Sequence, residues 1–368
     1  MRIGSFKFSI AEFSGSLGDF GTLLPLAIGY IVINGLDPSG FLIVFGLINI
    51  VTGIVYRIPM PLQPMKAVAA LAIAQAWSPQ LIAATAFSMG LFWLLLGIVK
   101  HTRKLIEVVP DEVIRGIQAT LGVSLVWQGV KLIVEDSWVL GAAAVISVVL
   151  LNIIGPSGRQ RPVALYIMGA GLAIMVATGF ADWPTTFSAG LPNLHVPSWS
   201  LAIEGFWKAG IAQIPLTFTN AIMAVALLIK DYFPHRVVTE ERLMINTGLM
   251  NLATSVFGGF PLCHGAGGLA GQYYYGARTG GANLMEGGME LALGLFFASS
   301  VASFFQAFPM ALVGAMMVFV GIELGKLTAK VENSHLPTVL VTVIPGLIWN
   351  MGIGFLAGVA FSLWRRSW

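Results

Sequence analysis

The sequence predicts an all-α polytopic membrane protein, and three observations carry that prediction. Of 368 residues, 57% are hydrophobic and only 10% are charged, against about 25% charged in a soluble domain. Apolar runs recur along the whole chain. Lys and Arg gather in alternate connections between those runs, which is a topology signal and not a nucleic-acid patch, despite a net charge of +3. The single cysteine, Cys263, excludes an intrachain disulfide. Met1–Ile10 has no apolar run of signal-peptide type.

The apolar runs, in order, are roughly 20–34, 41–56, 66–76, 81–99, 112–130, 138–154, 163–180, 209–229, 243–257, 265–275, 286–304, 309–325, 337–349 and 351–364, about fourteen segments. Several fall below the ~20 residues that a straight helix needs to cross a bilayer. The two shortest, 66–76 and 265–275, each follow a Pro-rich or Gly-rich stretch. The last two are also short and suit a hairpin that does not fully cross.

With both termini in the cytoplasm of a multi-pass cell-membrane protein, the inner connections hold Lys100, Arg103, Lys104, Arg159, Arg161, Lys230, Arg236, Arg242, Arg278, Lys326, Lys330, Arg365 and Arg366. The outer connections near 35–40, 77–80, 181–200, 305–308 and 350 hold none, and Lys131 is the exception. No soluble domain is expected before or after the membrane part.

The chain also repeats itself. Gly46-Leu47-Ile48-Asn49-Ile50-Val51-Thr52 matches Gly248-Leu249-Met250-Asn251-Leu252-Ala253-Thr254 at a shift of 202, which also carries Pro59 onto Pro261. Chance among common apolar residues does not readily supply Asn, Thr and Pro without a gap. A repeat of half the chain gives about seven segments per half: 1–180 as the first repeat and 200–368 as the second. An odd number inverts the second half, the plan of an inverted-topology repeat, which recurs in secondary transporters.

In that plan a ligand sits where equivalent helices of the two halves are broken. Pro59, Pro61 and Pro64 cannot form one continuous helix, so 58–64 is expected to be extended, with a half-helix starting near Pro64. At the matching place, Gly258-Gly259-Phe260-Pro261-Leu262-Cys263-His264-Gly265-Ala266-Gly267-Gly268 breaks the chain with glycines. Each half-helix presents free N–H groups and a partial positive charge, so two facing starts make an anion site.

Polar side chains around the breaks complete the candidate set. Gln63 donates hydrogen bonds, Lys66 supplies charge, and His264 donates to an oxyanion or carries a coupling proton. Gln213, Thr217 and Asn220 follow a roughly helical spacing on the eighth segment, and Ser16, Asp19 and Thr22 enter the first. Asp19 is the second candidate for a proton co-substrate. The plainer readings are a snorkelling or paired Lys66, a His264 that satisfies a backbone carbonyl, interhelical bonds from Thr217 and Asn220, and an N-cap at Asp19. Glu286 and Glu290 are expected at a solvated or gate-side position near the inner loop. No metal site, cofactor site or nucleophile–base pair is visible, so no enzyme is expected.

Gly18-Asp19-Phe20-Gly21-Thr22, Pro59-Met60-Pro61-Leu62-Gln63-Pro64-Met65-Lys66 and the run from Pro261 through Gly268 to Tyr273 resemble signature stretches of the molybdate transporter family related to the sulfate permeases. Tyr275-Gly276-Ala277-Arg278-Thr279 is similar to the end of the tenth helix of sulfate permeases. The resemblance implies a seven-plus-seven fold shared with sulfate, bicarbonate and uracil/xanthine permeases. In that fold a core domain, here about 12–99 and 209–304, moves against a gate domain, about 105–180 and 309–364. Short extended stretches precede half-helices three and ten. The binding region then maps onto Gln63, Met65, Lys66 and Ala67, and onto His264, Gly265, Ala266, Gly267 and Gly268, flanked by segments one and eight. No C-terminal cytosolic (STAS) domain like that of the sulfate permeases is expected. Molybdate import by an elevator motion, in a homodimer, is the expectation. Sulfate transport, a nucleobase permease and an anion channel are the alternatives. The nucleobase reading is weakened because 209–229 and 259–277 contain no Asp or Glu.

Overall fold

A computed structural model describes residues 2–99, 109–154, 162–180, 192 and 194–366. Lys100, Arg103, Lys104, Arg159 and Arg161 of the predicted inner connections lie outside the described residues, as do the side chains of Lys330 and Arg366. The described helices, in chain order, are α1 (Ile10–Ser16), α2 (Phe20–Val32), α3 (Pro38–Tyr56), α4 (Lys66–Ala74), α5 (Pro79–Ile98), α6 (Asp111–Asp136), α7 (Trp138–Ile154) and α8 (Val163–Ala177). They continue with α9 (Trp199–Tyr232), α10 (Glu240–Val256), α11 (Ala266–Tyr274), α12 (Gly281–Phe296), α13 (Ala298–Ala307), α14 (Met310–Lys326), α15 (Leu336–Ile348) and α16 (Met351–Arg366).

The helix starts follow local chemistry. Asp37 accepts from the N–H groups of Ser39 and Gly40 with Pro38 in the first turn, and Ser78 caps α5 ahead of Pro79. Among the described residues, α3, α5, α6, α9 and α14 are long and apolar enough to cross a membrane, or seven spans if each bent pair counts as one. Those pairs are Ile10–Asp19 with Leu23–Val32, bent by 56°, and α12 with α13, bent by 106°. The apolar run 286–304 is therefore not one straight segment. Helix α9 begins at Trp199, earlier than the run 209–229 suggested. It contains two π-helical stretches, Phe206–Gly210 and Thr217–Met223, so the 3.6-residue spacing assumed for Thr217 and Asn220 fails there.

Large apolar side chains such as Val123, Trp127, Ile146 and Leu356 point outward, while Asn, Gln and Glu are buried. That inversion suits a lipid solvent. Helix pairing relies on missing side chains: Gly46 lies on Gly287 between α3 and α12, Gly248 on Leu94 between α10 and α5, and Gly122 on Gly321 between α6 and α14. Short strands form two pairs: β1 (Arg2–Ile3) with β2 (Phe6–Lys7) at the N-terminus, and, buried among the helices, β3 (Gln63–Pro64) antiparallel with β4 (Leu262–Cys263), Gln63 opposite Cys263.

Candidate substrate site

The two breaks meet. Besides the β3–β4 pairing, Met65 N–H donates to Pro261 O at 2.8 Å. Helix α4 starts at Lys66 with Met65 as its N-cap residue, and α11 starts at Ala266 with Gly265 as its own; neither has a side-chain cap. Two half-helix starts, whose first N–H groups have no acceptor within their own helix, thus leave the same short ribbon.

Buried asparagines hold the non-helical backbone. Asn283 Oδ1 accepts from Met60 N–H at 2.9 Å, and its Nδ2 donates to Met60 O at 2.6 Å. Asn251 Oδ1 accepts from Leu262 N–H at 2.8 Å, and its Nδ2 donates to Leu262 O at 2.6 Å. Each amide thus substitutes for a neighbouring strand and satisfies a peptide that no water reaches.

The predicted site residues divide by place. Gln63 is fully buried and its Nε2 donates to Asp19 Oδ1 at 2.5 Å. Its side chain lies over the start of α11, where a Cβ on Gly265 would stand 1.8 Å from Gln63 Oε1 and one on Gly268 2.6 Å from Gln63 Nε2. Asp19 precedes α2 but makes no side-chain cap; it is 1% exposed and faces the site. Lys66 is half-buried in the first turn of α4, within electrostatic reach of Asp19. Ala67 N–H donates to Gln213 Oε1 at 2.7 Å, and Gln213 Nε2 donates to Thr217 Oγ1 at 2.9 Å. Helix α9 therefore joins the site through Gln213. Ala266 is buried at the start of α11, and Gly267 faces Leu125 and Leu121 of α6. Asn220 is buried with Oδ1 lacking a partner. Thr22 lies in α2, and its side chain is outside the described residues.

His264 is held on both sides, by Pro61 O at 2.9 Å from Nδ1 and by Asn246 Oδ1 at 2.6 Å from Nε2. It ties the second break to the first and to α10. Glu286 and Glu290 overturn their expectation: they are 1% and 3% exposed, bonded to Gln272 and Asn49, and lie inside the helix packing. Their position was legible in the spacing Asn283, Glu286, Glu290, which places three polar groups on one helix face in an apolar run.

A family profile described as "Molybdate transporter of MFS superfamily" matches residues 11–125 and 205–324. The chain belongs to the molybdate transporter family. Within this family it is 30% identical to Molybdate transporter 1 of Arabidopsis thaliana, with 99% of this chain and 90% of that protein covered. It is 31% identical to Molybdate transporter 2 of the same plant, with 96% and 86% covered. A putative sulfate transporter, YbaR of Bacillus subtilis, is 25% identical over 82% of this chain and 63% of its own length. The fold of this molybdate transporter family member is that of the anion transporter SLC26A9, at a TM-score of 0.62, 14% identity and coverage of 97% and 65%. The transmembrane domain of the cyanobacterial bicarbonate transporter BicA aligns at 0.58, 17% identity and coverage of 95% and 97%. The family member is a multi-pass membrane transporter and not an enzyme.

Proposed function

We propose that the protein imports a tetrahedral oxyanion, molybdate, across the cell membrane as a secondary active transporter. The observation that carries this reading is the antiparallel pairing of the two breaks, which brings the starts of α4 and α11 together inside the helix packing. Helix-start N–H groups favour an anion, and Lys66 adds a full charge. Gln213 Oε1 already takes the Ala67 N–H, and Gln63 covers the start of α11. An anion oxygen replaces these side-chain oxygens, while the freed Gln63, Gln213 and Thr217 turn their donors to the anion. His264 positions the ribbon, and Met65, Gly265, Ala266, Gly267 and Gly268 supply backbone.

The seven-plus-seven inverted repeat is supported by the clamped residues: Met60 and Leu262 are 202 residues apart and each is held at N–H and C=O by one amide, although the amides that hold them, Asn283 and Asn251, do not themselves correspond under that shift. Antiparallel pairing of equivalent strands is what a two-fold axis in the membrane plane produces. In this reading the core (12–99 and 209–304) slides as an elevator against the gate (105–180 and 309–364), both termini are cytoplasmic, and gate domains join a homodimer. A proton is the proposed co-substrate. The match to a putative sulfate transporter keeps sulfate as the competing substrate.

The test is purified protein in liposomes, offered molybdate, tungstate, sulfate and uracil. Saturable molybdate uptake, with Q63A and K66A weakened yet folded, is the expected result. Uptake of uracil alone, or rapid unsaturable flux, refutes the reading.

A further inference from the structure

Glu286 and Glu290 stand one turn apart on α12, inside the packing. Glu286 Oε2 accepts from Gln272 Nε2 at 3.2 Å, and Glu290 Oε2 accepts from Asn49 Nδ2 at 3.0 Å. Glu290 Oε1 and Gln272 Oε1 are buried and have no hydrogen-bond partner. Among the described residues no cation forms an ion pair with either carboxyl group. The charged group that acts on both from another element is Asp19, which is itself acidic. Around them, α3 offers the Asn49 amide and α11 the Gln272 amide. Helix α1 brings Glu12, already engaged by Arg278 N–H and by Thr279, and Lys7 of the N-terminal strand Phe6–Lys7 acts on Glu12. On its other side Glu290 is, among the described residues, the one ionisable wall residue of a cavity of about 270 Å³, otherwise lined by apolar residues such as Phe13, Phe20, Leu42 and Phe304.

Two carboxylates one turn apart, out of water and without a cation, cannot both stay ionised at reasonable cost. The proton that relieves them brings an O–H that needs an acceptor, and Glu290 Oε1 and Gln272 Oε1 are acceptors with no donor.

The pair is also wired to the first break and to the half-helix that follows the second. From Glu290 the bonds run to Asn49, then from Asn283 Nδ2 to Asn49 Oδ1 at 2.6 Å, and from Asn283 to the Met60 peptide. From Glu286 they run to Gln272 of α11 itself. Gaining or losing a proton changes which amides these carboxyls can receive, and so the hold on the first break and on the far end of α11.

We propose that Glu286 and Glu290 form a proton-binding site that couples proton movement to the anion cycle. The inference rests on the transport reading and gives its co-substrate a place. At least one proton binds the pair with each anion taken up and leaves intact to water on the other face, with no electron transferred.

The experiment uses the full-length chain in liposomes, with E286Q and E290Q, and reads three quantities: molybdate exchange at equal pH, accumulation under an inward proton gradient, and the infrared carbonyl band of a protonated carboxyl. Wild type should accumulate molybdate with luminal acidification. Each variant should keep exchange but accumulate no further than equilibrium, and the infrared band should shrink. Gradient-driven accumulation at the wild-type level in both variants overturns the proposal, as does molybdate entry without protons in the wild type. Should wild type move no molybdate at all, the transport reading fails, and the infrared band alone judges the pair: present and reduced in E290Q supports it, absent overturns it. If a variant does not fold, the wild-type band decides in the same way.

Discussion

At the residue scale, the clamps explain how extended backbone survives inside a bilayer. Each peptide of Met60 and Leu262 gets both its bonds from one amide, Asn283 or Asn251. Replacing that amide by alanine leaves a buried N–H and a buried C=O unpaired, at about 1–3 kcal/mol for each group. N283A and N251A should therefore lower the melting temperature in detergent, and N283A also removes the donor to Asn49 Oδ1. An unchanged melting temperature in both would show that the clamps are not what holds the breaks. Reading the sequence exposed Asn251 only as a repeat partner of Asn49, and Asn283 not at all, because nothing in local spacing says which backbone group a distant amide will meet. Gln63 and Lys66 were legible because three prolines forbid a helix beside them. The plainer reading of His264 was weighed from the sequence, yet its second partner, Asn246, comes from another helix and leaves no local trace.

At the element scale, the half-helices and the helix pairs follow from two kinds of sequence signal. The predicted starts near 64 and 265 fall within two residues of the observed Lys66 and Ala266, because proline and glycine act through their own backbone. The bend at Phe297 and the π-helical stretches of α9 were not legible in the same way: Gly294, Gly205, Gly210 and Pro215 stand near them, but an isolated Gly or Pro in an apolar run does not say whether the helix goes on. Pairing of α3 with α12 depends on contact without side chains: a Cβ on Gly287 would stand 2.5 Å from Gly46 O, a backbone atom that cannot step aside. G287V should thus force the helices apart at a cost of about 1–3 kcal/mol or more. The check is the yield of monodisperse protein on size exclusion, with G288V as the control, because Gly288 has open space at its Cβ. Equal yields would remove close packing as the reason for the glycine.

At the scale of the whole molecule, the elevator reading requires that contacts between the proposed core and gate break in every cycle. Those contacts include the Arg115–Asp231 ion pair between α6 and α9, and the rings of Phe218 on α9 and Phe355 on α16, with centroids 6.0 Å apart and edge to face. Phe218 follows the site residue Thr217, so its helix moves with the substrate in this scheme, while α16 stays with the gate. A cysteine pair at these two positions, in a C263S background, can be joined by a short cleavable bis-thiol cross-linker. Cross-linking should stop molybdate uptake into liposomes, and reductive cleavage should restore it. The single-cysteine proteins F218C and F355C, treated alike, should transport as they did before treatment. If the joined protein keeps transporting at the unlinked rate, α9 and α16 do not separate during turnover. Substrate release must then come from opening near the half-helix starts alone, and the sliding of core against gate is refuted.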